Sequence, residues 1–262
     1  METKYIHGTD ACEQQRLAAL NQITNSSFID FLELTGHEIV LEVGSGLGIL
    51  SSAIAARLPR GRVVGLEYAT AQLVAAQINA AANLNFCQAD AHNIPLLNDS
   101  FDLVYCRYLL EHVGNPIQVL EEIRRVLKPG GRIYIQENNI AVNTLYPDCS
   151  HFNIVWQKFI LLQKKLGGDP LIGKKLFALL QGTGFRNIEL SLEPELHWSG
   201  QPSFRPWVEN LIGNLKSSIN DLIKYRLSSE EEIMFAINEL TAFMQRNDAT
   251  ALFYWNRAKA LQ

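Results

Sequence analysis

An α/β fold built on a doubly wound, mainly parallel sheet of seven strands, with a helical cap, follows from three features of this 262-residue sequence. Between residues 39 and 136, short apolar, β-branched runs alternate with segments of helical spacing. Two more apolar runs, beginning near residues 185 and 250, flank a long helical stretch. A glycine-rich turn joins the first run to the first helical segment. Strands that alternate with helices need crossover connections, and these crossovers cover both faces of a parallel sheet.

The elements follow in chain order. Asp10 with Glu13 three residues later resembles a capping box, opening a helix that carries Arg16, Leu17, Leu20 and Ile23, so residues 1–35 read as an N-terminal helical arm. Five strands are expected at Ile39–Val43, Arg62–Leu66, Asn83–Cys87, Phe101–Cys106 and Arg132–Gln136. Leu50, Ile54 and Leu58 fall at helical spacing after the first, and Leu120, Ile123 and Leu127 do so before the stop signal Lys128-Pro129-Gly130-Gly131. Phe185, Ile188, Leu190 and Leu192 predict a strand after Gly182-Thr183-Gly184, and Thr250–Arg257 predicts the last. Between those two lies a helical insert over 200–248: Phe204, Trp207, Val208, Leu211, Leu215, Ile219 and Leu222 share one face, and Ile233, Ile237, Leu240 and Met244 share another behind a Ser228-x-x-Glu231 capping box. Such stripes pack as core and can also line a pocket. The Trp and Phe content of the insert favours a substrate-facing cap, and a cap rich in Trp198, Phe204, Trp207, Phe235 and Phe243 suggests an apolar or aromatic acceptor.

Composition is that of a globular chain: 47% hydrophobic, 19% charged, with 17 Gly and 9 Pro, which excludes disordered, collagen-like and coiled-coil classes. The length alone permits one domain or two. The 23 Lys and Arg against 27 Asp and Glu leave a net charge of -4, which disfavours nucleic acid as a partner. A local cluster of Lys164, Lys165, Lys174 and Lys175 keeps an anionic substrate open. Cys12, Cys87, Cys106 and Cys149 lie far apart with no His at metal-ligand spacing, so reduced thiols and no metal site are expected. No apolar run approaches a membrane span of about 18 residues, and residues 1–17 have no apolar signal region, so a soluble, cytoplasmic protein without a membrane partner is expected.

The sharpest motif is Glu42-Val43-Gly44-Ser45-Gly46-Leu47-Gly48, between the first strand and the first helix. Glycines there allow a tight turn and let a ligand approach backbone that no Cβ obstructs, with helix amides turned toward anionic groups. Glu67 ends the second strand 19 residues after Gly48, where a carboxylate can accept two hydrogen bonds from a ribose diol. A dinucleotide fingerprint requires GxGxxG, whereas the spacing here is GxGxG, which favours a different nucleotide-like cofactor. Glu42 within an apolar strand needs a cation or donors once buried. Asp90 sits at the carboxyl edge where open α/β sheets bind ligands; it either binds there or caps the turn Ala91-His92-Asn93.

Four blocks together resemble the class I S-adenosylmethionine (SAM) dependent methyltransferases, in the group that modifies small molecules and quinones: VLEVGSGLG (Val40–Gly48), VVGLEYA (Val63–Ala69), QADAHNIPLLNDSFDLVYCRYLLEHV (Gln88–Val113) and VLKPGGRIYI (Val126–Ile135). The resemblance covers roughly residues 36–137, the SAM-binding core of one domain spanning 1–262. It implies a Rossmann-like sheet with an antiparallel C-terminal strand. It also implies that Gly44, Ser45 and Gly46 pack against the methionine part of SAM and that Glu42 lies near its amino group. By the same resemblance Glu67 holds the ribose, Tyr68 lies along the adenine, Asp90 and the Ala91 amide meet the adenine edge, and the Arg107 carbonyl faces the amino group.

Methyl transfer from a sulfonium is an in-line displacement in which the cofactor brings the reactive group and the protein aligns and desolvates. A phenol, alcohol or protonated amine gains from a general base as well. His112 in Leu110-Glu111-His112-Val113 and Tyr5 in the N-terminal arm are the candidates, with His7 and His151 behind them; His112 reads equally as an orienting histidine of its loop. Arg16 in the same arm can pair with the SAM carboxylate or stand as an exposed helix charge. The function expected is methyl transfer to a small-molecule acceptor by a monomer or homodimer. A nicotinamide-dependent oxidoreductase and a non-catalytic SAM-binding regulator are the alternatives.

Overall fold

The computed structural model describes residues 20, 21 and 24–262. Tyr5, His7, Asp10, Cys12, Glu13, Arg16, Leu17 and Ile23 lie outside the described residues. A helix over residues 24–31 (α1) leads into β1 (Ile39–Val43), α2 (Ile49–Ala55), β2 (Arg62–Glu67), α3 (Thr70–Ala76), β3 (Leu84–Gln88), β4 (Phe101–Arg107), α4 (Pro116–Val126) and β5 (Leu127–Glu137). Then come β6 (Thr144–Tyr146), α5 (Ser150–Lys165), α6 (Leu176–Gly182), β7 (Arg186–Trp198), α7 (Phe204–Lys224), α8 (Glu230–Phe243) and β8 (Thr250–Leu261).

The sheet is mixed and mainly doubly wound. β3, β2, β1, β4 and β5 run parallel side by side, with the chain reversing direction across the sheet between β1 and β4. β8 runs antiparallel to β5 through residues 256–261 and to β6 through residues 250–252, and β7 pairs along the whole of its other edge. The seven expected strands are present, and β6 adds a short eighth.

Two apolar layers cover the sheet. Phe28, Leu32, Leu50, Ile54 and Leu58 pack on one face against Val40, Val63, Leu103 and Tyr105; Leu120, Ile123, Leu176 and Leu180 pack on the other against Leu41, Val104 and Ile133. A third core joins α5, α7 and α8 to Phe253 and Trp255 of β8. The stripe from Phe204 to Leu222 therefore packs as expected, and α5, for which the sequence reading names no element, joins α7 and α8 in this cap.

Local chemistry places the boundaries. α4 starts at Asn115, whose side chain accepts from the Gln118 amide, with Pro116 at the first helical position where a missing N–H costs nothing. Leu127, expected as the last helical residue, instead begins β5: Pro129 biases Lys128 toward extended backbone, and Leu127 pairs with Phe101. The capping box of α8 is Ser229 with Glu232, one residue beyond the expected Ser228 and Glu231. Ser229 takes the extended backbone of an N-cap, and the Ser228 hydroxyl donates to Glu232 from outside the helix. No helix among the described residues is long and apolar enough to cross a membrane.

Candidate active site

The carboxyl ends of β1, β2 and β4 open on one cleft of about 990 Å³, the upper end of the range of roughly 300–1,000 Å³ typical of ligand sites. Gly44, Gly46 and Gly48 take φ values of 83°, 53° and 70°, a left-handed path that other residues adopt only under strain. This path turns the Gly44 and Ser45 amides onto the Leu66 carbonyl at 2.8 and 2.9 Å and the Gly46 amide onto Glu67 Oε2 at 2.8 Å. Gly48 has a different duty. A Cβ there would sit 2.5 Å from Phe86 Cζ, so this glycine lets α2 close on β3.

Glu67 is nearly buried and fixed at both oxygens, Oε1 by the Ala69 amide and Oε2 by the Gly46 amide, each at 2.8 Å. Burial raises its carboxyl above the ordinary range, and the two amides oppose the rise. Each oxygen keeps a second lone pair, so the carboxylate can still accept from a diol. Glu42 lies deeper, bonded by the Ser51 hydroxyl. Burial pushes it up to about 7, against the pull of Ser51 and of the Arg107 charge. An ammonium is the partner that would return its charge. Tyr68 stands 68% exposed at the rim, a ring with one face available for stacking.

Asp90 lines the cleft and also caps its own turn: Oδ1 accepts from the His92 amide at 2.9 Å and pairs with His92 Nδ1 at 2.7 Å. Burial works to raise its carboxyl, but these donors hold it below the usual range. The cap is thus realised on a residue that still lines the cleft. Ala91 is buried beside it.

The Arg107 guanidinium donates to Asn21 Oδ1 at 2.5 Å, Asn25 Oδ1 at 2.7 Å and Thr24 Oγ1 at 3.2 Å, and lies over the rings of Phe28 and Tyr108. It thus holds α1 against the cleft, which Leu20 and Asn21 also line. Tyr108, next in sequence, has φ 56°, a conformation costing of order 1–3 kcal/mol, and its hydroxyl accepts from Gln136 Nε2 at 2.6 Å.

His112 lines the same cleft, its Nε2 3.7 Å from Glu111 Oε1. Glu111 is buried and accepts from Asn138 Nδ2 and from Gln163 Nε2, the latter at 2.9 Å. Behind it, Glu137 Oε1 accepts the Leu109 and Leu110 amides at 2.9 and 2.7 Å, shaping the turn that presents His112. Burial, then the charge of Glu111, drive the Glu137 carboxyl well above its ordinary range.

Beyond His112 the cleft becomes an aromatic chamber of Tyr108, Trp156, Phe159, Trp207, Phe253 and Trp255. Trp156 stacks on Phe159 at 5.0 Å and Phe253 meets Trp255 edge-on at 4.7 Å. Trp156 Nε1 donates to the Ile140 carbonyl at 2.7 Å and Trp255 Nε1 to Glu195 Oε1 at 2.8 Å. Of the five aromatics expected to face the substrate, Trp207 alone lines the chamber. Phe204 and Phe243 are core, and Trp198 and Phe235 are half exposed outside it. The residues missed carried a signal: Trp156, Phe159 and Gln163 recur at helical spacing, and Phe253 and Trp255 alternate along β8. His151 stacks on Phe235 at 5.6 Å, outside the cleft. Of the four clustered lysines, Lys175 pairs with Asp169 at 2.5 Å, and none lines the cleft.

The residues present fit a nucleoside bearing a zwitterionic tail: a doubly anchored carboxylate for a diol, an exposed ring for a base, and a deeply buried acid beside a guanidinium. Comparison with known proteins agrees. Residues 41–135 match the family described as "Methyltransferase domain". The chain is 27% identical over 184 residues to a demethylmenaquinone methyltransferase of Lactobacillus johnsonii, covering 62% of this chain and 73% of that protein. It is 32% identical over 126 residues to a ubiquinone biosynthesis O-methyltransferase of Pseudomonas syringae, covering 47% and 51%. Against several curated relatives it thus spans about half their length. A solved structure, a putative methyltransferase from Bacillus halodurans, shares the fold with a TM-score of 0.59 at 19% identity, over 91% of this chain and 98% of that one.

Proposed function

We propose that this chain, whose residues 41–135 match a methyltransferase domain, is a SAM-dependent methyltransferase that methylates an uncharged, apolar or aromatic small molecule held in the chamber of Trp156, Phe159, Trp207 and Trp255. The observation that carries this reading is the continuity of one cleft from the glycine loop to the aromatic chamber, with no Lys or Arg lining the acceptor half among the described residues. The quinone-pathway relatives lend support, since an aromatic ring suits such walls.

In this reading SAM, when bound, supplies an electrophilic methyl group on a sulfonium. The chain's own residues bind, orient and dry the site. Glu67 accepts the ribose hydroxyls, Tyr68 stacks on the base, and Asp90 with the Ala91 amide meets the edge of the base. Gly44, Ser45 and Gly46 border the thioether side, while Glu42 and the Arg107 carbonyl take the ammonium. Proximity of this kind is worth up to roughly 7–11 kcal/mol in favourable intramolecular cases. His112, steadied by Glu111, is the group placed to take a proton from a hydroxylated acceptor. Helices α7 and α8, within the 200–248 insert, act with α5 as the lid.

Isothermal titration with SAM tests the premise. One site of micromolar affinity is expected, and absence of heat at near-millimolar cofactor would overturn it. With methyl-labelled SAM, label is expected in hydroxylated aromatic acceptors ahead of phosphorylated amines; the reverse order would refute the acceptor class.

A further inference from the structure

Arg107 is the only Lys or Arg that lines the cleft among the described residues. Its neighbours there include three acids, Glu42, Glu67 and Asp90, so an anionic group entering the cofactor half meets one cation and several repulsive carboxylates. A guanidinium carries five N–H donors in a fixed fork. Three of them go to neutral oxygens of Asn21, Thr24 and Asn25, and Arg107 forms no ion pair with a described residue. Three other arginines near the sheet do: Arg125 pairs with Glu122, Arg132 with Glu38 and Arg257 with Glu193. A cation kept among neutral carboxamides and ring faces retains its capacity for a charge-assisted bond to a carboxylate. Glu42 lines the same cleft and feels the Arg107 charge, so an α-amino acid end bound there can meet both an acid and a cation.

We propose that the Arg107 guanidinium is the specificity-determining partner of the aminoacyl carboxylate of the cofactor, with Glu42 taking the adjacent ammonium. The proposal rests on the methyltransferase reading and extends it, since that reading gives Arg107 only its backbone carbonyl. It separates two duties of one side chain: three donors fasten α1, and the remaining two select a ligand with an anionic end.

The test compares SAM with decarboxylated SAM, which keeps the ammonium and lacks only the carboxylate, by calorimetry on the wild-type chain and on Arg107→Met and Arg107→Lys. Wild type is expected to prefer SAM by about 10- to 100-fold, the size of a charged hydrogen bond. Arg107→Met is expected to bind the two equally, through loss of SAM affinity alone, with decarboxylated SAM held within about 3-fold; Arg107→Lys, a point charge without the fork, falls between. A preference that survives in Arg107→Met would overturn the proposal. So would an equal loss for both ligands, which would mark Arg107 as acting only through α1; the circular dichroism melting curve of each variant reports whether the fold is kept. Failure of wild type to bind either nucleoside would instead overturn the methyltransferase reading and this inference with it.

Discussion

Replacing Glu42 by Gln should stabilise the ligand-free protein at alkaline pH while weakening its hold on the cofactor. Burial raises the Glu42 carboxyl from 4.5 to about 7, a value that already contains the opposing pull of Ser51 and Arg107. For a group whose pKa is raised on folding, the stability it contributes is whole below the unfolded value and is lost as pH climbs through the folded one. The window here runs from about 4.5 to about 7. A difference of about 2.5 units at 1.36 kcal/mol each comes to about 3 kcal/mol of destabilisation once Glu42 is charged. Gln keeps the shape and can still bond Ser51, so it removes the charge and little else. Thermal unfolding followed by circular dichroism should show Glu42→Gln above wild type by about 6–12 °C at pH 8, at about 2–4 °C per kcal/mol, and level with it at about pH 4, below the unfolded value. A loss of stability of equal size at both pH values would show that Glu42 is held by its contacts and is not penalised by its charge. SAM binding should likewise release protons near neutral pH, because an ammonium favours the charged Glu42 carboxylate, so affinity should rise between pH 6 and pH 8.

Glu67→Ala should lower SAM affinity by about 10- to 100-fold with the far-ultraviolet spectrum unchanged, since it removes a doubly anchored acceptor; unaltered affinity by calorimetry would remove Glu67 from the site. Gly48→Ala should cost at least about 1–3 kcal/mol in denaturant unfolding, because the added Cβ meets Phe86 at 2.5 Å on a backbone of φ 70°; a neutral variant would contradict the packing role given to that glycine. Ser229→Ala should cost about 1 kcal/mol and Ser228→Ala less, and the opposite ranking would return the α8 cap to Ser228. Arg257→Met breaks 2.6 Å bonds to Gln136, Glu193 and Ser27 at once, and a melting temperature lower by several degrees is expected, with no change suggesting that these contacts form in name only.

Legibility in the sequence tracked how local each signal was. β1, the glycine turn and Glu67 lie within 29 residues, and each carries its own chemistry: a β-branched run, positions that need positive φ, an acid at a strand end. The crossovers likewise declare themselves through alternation of period. α5 lacks an opening signal, since its N-cap is Cys149 with no capping side chain, and the exposed Ile154 and Leu161 blur the buried stripe of Phe152, Val155, Trp156, Phe159 and Ile160. The chamber is non-local by construction. Trp156, Trp207 and Trp255 sit on three elements about 50 residues apart, and nothing within any one of them distinguishes a wall from core. The same limit misplaced Phe235 and Trp198, since helical or strand spacing fixes a face without saying what that face meets. Asp90 shows the converse, for both readings of it were present in the sequence and the folded turn realises the cap while leaving the side chain at the cleft.

The electron density of S-adenosylhomocysteine in a crystal of this protein tests the central claim most directly. Ribose hydroxyls are expected on Glu67, the aminoacyl end between Glu42 and Arg107, and the thioether sulfur facing the chamber of Trp156, Trp207 and Trp255. A sulfur turned away from that chamber, or a nucleoside seated elsewhere on the sheet, would contradict it.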